Sequence, residues 1–165
     1  MMRYLGIDPG VTGAFAVLDV FPDGHHELTV MATPTVRVGQ RRRYAIHLIS
    51  EHLTLLPPVV MAYLEQQSAR PGQGVTSSFS TGYGAGMWEA LLAARQLPYR
   101  LIRPHAWRSA VGLPSFPTGT PKAAIKSSVA LAATRRFPLH KITLDHADAV
   151  MLAVAAALEY GARAA

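Results

Sequence analysis

Tyr4-Leu5-Gly6-Ile7-Asp8-Pro9-Gly10-Val11-Thr12-Gly13-Ala14-Phe15-Ala16-Val17-Leu18 holds the first clue to how this chain folds. Its opening residues alternate as a strand does: Leu5 and Ile7 point to one face, Tyr4, Gly6 and Asp8 to the other. Pro9-Gly10 and Thr12-Gly13 punctuate a tight turn, and Ala14 to Leu18 is apolar enough for a second, mostly buried strand. Asp8 stands at the entrance of that turn. An Asp before Pro-Gly opens many turns with no further role, so its meaning depends on where the chain puts its other acids.

Those acids are scarce. The 165 residues carry sixteen Lys+Arg against ten Asp+Glu, a formal charge of +6. Such a balance favours a polyanionic partner, nucleic acid before membrane, because no basic amphipathic anchor helix is visible. The length suits a single domain, 1–165, with a proper core. No apolar run approaches the roughly 18 residues of a membrane span. Cysteine is absent, which excludes a disulfide framework and thiolate metal sites. With the first strand expected from residue 3 there is no room for a targeting peptide, so a cytoplasmic, nucleoid-associated location is the expectation.

Beyond the opening hairpin, Phe21-Pro22-Asp23-Gly24 is a turn and Glu27 to Ala32 a third strand, completing an antiparallel meander. Arg37 to Arg43 is a basic run around Gly39. Such runs are usually solvated surface, and in a basic protein they also serve as phosphate contacts. Tyr44 to Leu56 has a helical apolar stripe of Ala45, Leu48, Ile49, His52, Leu53 and Leu56, ended by Pro57-Pro58.

Val59 to Leu64 is a short continuous apolar run, the pattern of a central strand buried on both faces, and it terminates in Glu65. Open α/β sheets place their ligands at that end of a strand, which favours a site role for Glu65; the plain alternative is the first exposed residue past the strand. Gln66 to Ser78 reads as a polar, Gly-rich loop, and Phe79 to Arg95 as a helix. Glycine inside a helix costs about 1 kcal/mol against alanine. Gly82, Gly84 and Gly86 therefore imply close approach to the sheet or to a second subunit.

Tyr99 to Arg103 is the next strand, followed by a Pro-initiated helical turn in which Trp107 reads as core and Arg108 could reach a phosphate. Thr120-Pro121-Lys122 marks a helix start, with Thr120 as N-cap. Lys122 opposes the helix dipole there, unless an anion sits beside it; a solvated lysine is the plain alternative. The candidate DNA contacts are Arg41, Arg42, Arg43, Arg70, Arg108, Lys122 and Lys126.

The last helix, Leu144 to about Arg163, has an apolar stripe of Leu144, Ala147, Met151, Val154 and Leu158, with Asp148 on its edge and Asp145 three residues earlier. The helix dipole alone accounts for Asp145 but less well for Asp148, one turn further in. A carboxylate against apolar surface is expensive unless paired or coordinating a metal. Acids at the edges of separate buried elements suit magnesium, which takes oxygen ligands and substrate phosphate oxygens. Two such ions about 3.5–4 Å apart can activate water and stabilise a leaving oxygen. The seven histidines show no paired-ligand spacing, and only His146 falls beside these acids.

At this point the sequence resembles the RuvC family of Holliday junction resolvases, within the ribonuclease H-like nucleases. The resemblance rests on Gly6-Ile7-Asp8-Pro9-Gly10 with Thr12-Gly13, on Leu64-Glu65-Gln66, on Thr81-Gly82-Tyr83-Gly84 and on Asp145-His146-Ala147-Asp148-Ala149, in order over nearly the whole chain. It implies an α/β, ribonuclease H-like fold: a five-stranded mixed sheet, antiparallel through the first three strands and then parallel, flanked by helices. It also implies a homodimer and magnesium- or manganese-dependent nicking of four-way DNA junctions at symmetric points, with two ions per site. By motif matching, Asp8, Glu65, Asp145 and Asp148 correspond to the metal-binding acids, and Lys122 to a lysine that supports phosphate chemistry. The bacterial housekeeping members carry an aromatic shortly after the catalytic glutamate. Here Gln67-Ser68-Ala69 follows Glu65 and the next aromatic is Phe79, which leaves the sequence preference of cleavage open.

Two other readings compete. A non-catalytic branched-DNA binder would lack one of the acids, and none is missing. An actin-like ATPase or sugar kinase would use the Asp-Pro-Gly-x-Thr-Gly turn as a phosphate loop, but it needs a second related domain that 165 residues without an internal repeat do not supply.

Overall fold

A computed structural model describes residues 1–69 and 72–161. Its centre is β1 (Met2–Ile7), paired antiparallel with β2 (Ala14–Val20) and parallel with β6 (Met61–Glu65). β3 (His26–Ala32) extends the sheet beyond β2, and β7 (Tyr99–Ile102) runs parallel to β6 at the other edge. The five-stranded order is β3-β2-β1-β6-β7, antiparallel on one side and parallel on the other, as expected.

The alternation in β1 builds two cores. Leu5 and Ile7, with Phe15 and Val17 of β2, pack against α1 (Ile46–Leu55) and α2 (Val75–Ala94), where Ile49, Leu53, Trp88 and Leu92 are buried. Tyr4 faces the opposite layer of α3 (Pro104–Ala110), α4 (Lys122–Arg136) and α5 (Leu144–Gly161). Gly6 lies beneath α5. A Cβ there would sit under 3.0 Å from the Ala149 carbonyl oxygen and the Ala153 amide, so only glycine lets helix and strand touch at that point.

Several expectations are corrected. The basic run from Arg37 to Arg43, expected only as a charge run, belongs to a separate hairpin of β4 (Thr35–Val38) and β5 (Arg41–Tyr44), turning at Gly39 with φ of +61°. Tyr44 closes β5, so α1 begins at Ile46, and Leu48 of its expected stripe is exposed. The expected Gln66–Ser78 loop ends early, because α2 starts at Val75. Glu65 is the last residue of β6 and is buried, not the first exposed residue after it.

Thr120 does not cap α4. Pro121 holds the cap position in extended backbone, and the Thr120 hydroxyl donates back to the Pro117 carbonyl at 2.7 Å. Leu144 and Leu158 are exposed, whereas Ala149 through Ala156 are buried without a break, so α5 is a central helix covered on several sides and not a striped one. Its expected end near Arg163 lies outside the described residues. Among the described residues no helix is long and apolar enough to cross a membrane.

Candidate active site

Asp8 leaves the end of β1 into a turn that its own surroundings lock. The Asp8 amide donates to Ala14 O at 3.0 Å, Gly13 N to Gly10 O at 2.9 Å, and Gly10 N to the Asp8 carboxylate at 3.2 Å. Gly13 is obligatory, since a Cβ would collide with the Asp8 carbonyl. From the side, the Tyr44 hydroxyl donates to the Pro9 carbonyl at 2.9 Å, and it fits there only because residue 84 of α2 is glycine. That explains one of the three helical glycines. A Cβ at Gly82 or Gly86 would meet nothing within 4 Å among the described residues.

Glu65 ends the adjacent parallel strand, so its carboxyl group and that of Asp8 emerge at the same end of the sheet. Its Oε1 accepts from the Trp107 indole N–H at 3.0 Å and its Oε2 from the Gln67 amide at 3.0 Å. Trp107 is therefore both core, as expected, and the partner of an acid. Asp148 completes the set from the second turn of α5, brought over β1 by the contact at Gly6.

Asp8, Glu65 and Asp148 line one cleft of about 580 Å³. Lys122 and Lys126 face it from α4, Arg108 from α3, and Ser77 and Thr81 from α2. Burial is the first cause that lifts the acids, and mutual repulsion the second. Asp8 is pushed up to about 6 by burial and by Glu65, against the Gly10 N–H and Lys126. Asp148 is pushed up to about 6 by burial and Asp8, against Arg108 and Lys126. Glu65 is also raised, by burial and Asp148, with the Trp107 and Gln67 hydrogen bonds opposing. Burial and the Asp8 charge push Tyr44 up to about 12.

Asp145 stands apart. It accepts from Lys126 Nζ at 3.1 Å, its side chain is more than half exposed, and it is not among the residues lining the cleft. Burial works against the Lys126 charge, yet the Asp145 hydrogen bond and the nearby carboxylates carry its pKa above the ordinary lysine value. His146 does not line the cleft either. Arg41, Arg42 and Arg43 lie exposed on β5, and Arg70 lies outside the described residues. The Arg108 guanidinium rests 5.1 Å from the Trp107 ring centroid, and its Nε is buried with no hydrogen-bond partner among the described residues.

The donor set consists of carboxylate oxygens that repel one another, which is the chemistry of a hard divalent cation. Among the described residues no three Asp, Glu or His side chains stand close enough to form a ready-made cage. The acids share a cleft and a field, leaving room for ligands from elsewhere. Sequence reasoning missed Gln67, the hydroxyls of Ser77 and Thr81, and the Trp107–Glu65 bond. Only the last had a signal: a buried indole N–H generally needs an acceptor.

No protein-family model matches the sequence, and no curated protein matches it. Among solved structures, Thermus thermophilus RuvC superposes with a TM-score of 0.64 at 20% identity, over 98% of this chain and 97% of that one. The same protein in complex with Holliday junction substrate matches with a TM-score of 0.64 at 17% identity, over 98% and 96%. The chain has the RuvC fold. Within the RuvC fold, the three acids and the three cations of the cleft come from β6, α3, α4, α5 and the turn that follows β1.

Proposed function

We propose that this protein is a metal-dependent endonuclease that resolves four-way DNA junctions by paired nicks. The observation that carries the reading is the cleft, where Asp8, Glu65 and Asp148 face Lys122, Lys126 and Arg108 on a RuvC fold. A RuvC solved on a Holliday junction makes branched DNA the first substrate to test. Action on DNA would place the protein with the nucleoid.

Asp8, Glu65 and Asp148 would hold magnesium or manganese, two ions per site. The bound ions would supply an activated water and stabilise the leaving oxygen, giving a 5′-phosphate and a 3′-hydroxyl. The chain's own groups do the rest. Lys122 and the Arg108 guanidinium, both lining the cleft, offer charge to the scissile phosphate, which strengthens as charge builds there. Trp107 and Gln67 fix both oxygens of Glu65. Asp145 would assist the site by holding Lys126 at its edge.

Paired nicks need two sites, and the open face of α2 supports a homodimer. Gly82 and Gly86 form an uncovered apolar groove with Ile46, Tyr83 and Met87, and Phe79 is 74% exposed beside it.

The test is incubation with a synthetic four-way junction and a matched linear duplex, with and without magnesium or manganese. Metal-dependent paired nicks in the junction alone are expected, and are lost in Asp8→Asn while junction binding persists. Binding without cleavage under either metal would make it a branched-DNA binder. Equal cutting of both substrates would make it a broader ribonuclease H-like nuclease.

A further inference from the structure

The β4–β5 hairpin stands outside the five-stranded sheet, and none of the motifs that carry the RuvC resemblance falls on it. Between Thr35 and Tyr44 it carries Arg37, Arg41, Arg42 and Arg43 and not one acid. All four arginines are exposed, and none forms an ion pair or side-chain hydrogen bond with another described residue. The register sets Arg37 directly opposite Arg42. Like charges so placed destabilise a ribbon. No carboxylate within the hairpin relieves the repulsion, and a polyanion lying across it would.

The same register assigns the faces. Arg37 and Arg42 share a face with Tyr44, while Arg41 and Arg43 share the other with the exposed Val36 and Val38. Tyr44 fastens its face to the Asp8 turn through the Pro9 carbonyl. Arg42 lies two residues before it in the strand, about 7 Å away. The cationic face of the ribbon thus adjoins the turn that presents Asp8 to the cleft. Guanidinium groups with no protein partner match phosphate oxygens in charge and geometry.

We propose that the β4–β5 ribbon is a phosphate-gripping arm for the DNA duplex that leads into the cleft, with Arg37 and Arg42 as its contact pair. This rests on the reading of the cleft as a DNA site. The arm holds the backbone and reads no sequence, because its ligands are phosphates.

The experiment compares wild type with Arg37→Ala/Arg42→Ala, measuring affinity for a four-way junction and a linear duplex across a salt series in chelator. Two lost phosphate contacts lower the slope of log K against log salt by about 1.8 and raise Kd about 30-fold at 0.15 M salt. Arg41→Ala/Arg43→Ala is expected to lose less. An unchanged slope in Arg37→Ala/Arg42→Ala overturns the arm, as does a wild type that binds no DNA. A loss in Arg41→Ala/Arg43→Ala as large as in the other pair overturns the contact assignment. Magnesium-dependent junction cleavage is scored separately on wild type. A fall in slope without cleavage supports the arm and rejects the resolvase, whereas cleavage with an unchanged slope rejects the arm alone. All four arginines are exposed, so both variants fold, and circular dichroism verifies it.

Discussion

Replacing Asp8 by Asn should make the metal-free protein more stable. Asp8 is pushed from 3.8 up to about 6 by burial and by Glu65. A rise of about two pH units corresponds to about 3 kcal/mol by which the folded state disfavours the ionised form. The sign follows from proton binding. Between pH 4 and 6 the folded chain holds a proton that the unfolded chain has released, so stability falls as pH rises and the full cost is present above 6. Asn keeps the Oδ1 that accepts from the Gly10 amide and removes the charge. The expected gain in chelator at pH 8 is about 1–3 kcal/mol, since the amide is still desolvated, and it shrinks by about 2 kcal/mol at pH 4.5. The rise at Asp148 shares the same repulsion with Asp8 and is not added to it. Urea unfolding at the two pH values reads the difference directly, and magnesium at pH 8 should favour wild type over the variant. An Asp8→Asn protein less stable than wild type in chelator at pH 8, or a difference indifferent to pH, would refute the reasoning.

Three further substitutions probe how the site and the open face of α2 are held. Gly6→Ala should lower stability by roughly 3 kcal/mol, because its Cβ meets backbone of α5, whereas Gly86→Ala, with open space around it, should be neutral or stabilising in urea unfolding yet weaken self-association in sedimentation. Trp107→Phe removes the N–H that Glu65 Oε1 accepts and should raise the magnesium midpoint for cleavage about tenfold with unaltered far-ultraviolet circular dichroism.

Strands were legible where one residue's neighbours decide its face. Tyr4 to Ile7 shows period two because its two sides pack on different cores, and the apolar run into Glu65 shows a strand covered on both faces. The β4–β5 ribbon was hidden by its charge: Val36 and Val38 do alternate with Thr35 and Arg37, but four arginines drew attention to solvation and away from pairing. The early start of α2 was hidden by Thr76, Ser77 and Ser78, poor helix formers individually. The candidate acids could be named from their positions at element ends, but not their division of labour. Asp145 and Asp148 are about one turn apart in sequence terms, yet the first pairs with Lys126 while the second lines the cleft.

Active sites are commonly assembled on loops that can loosen while the rest of a protein stays intact. Here Asp8 follows directly on the central strand and Asp148 belongs to the most deeply covered helix, with Gly6 pressed against Ala149 and Ala153 between them. The two mutually repelling groups are thus tied to opposite sides of the same spring-loaded joint, and no local fraying can let them drift apart. Warming such a molecule offers no partial relief: the electrostatic tension is discharged by a cation, by a proton, or by the collapse of the entire core at once.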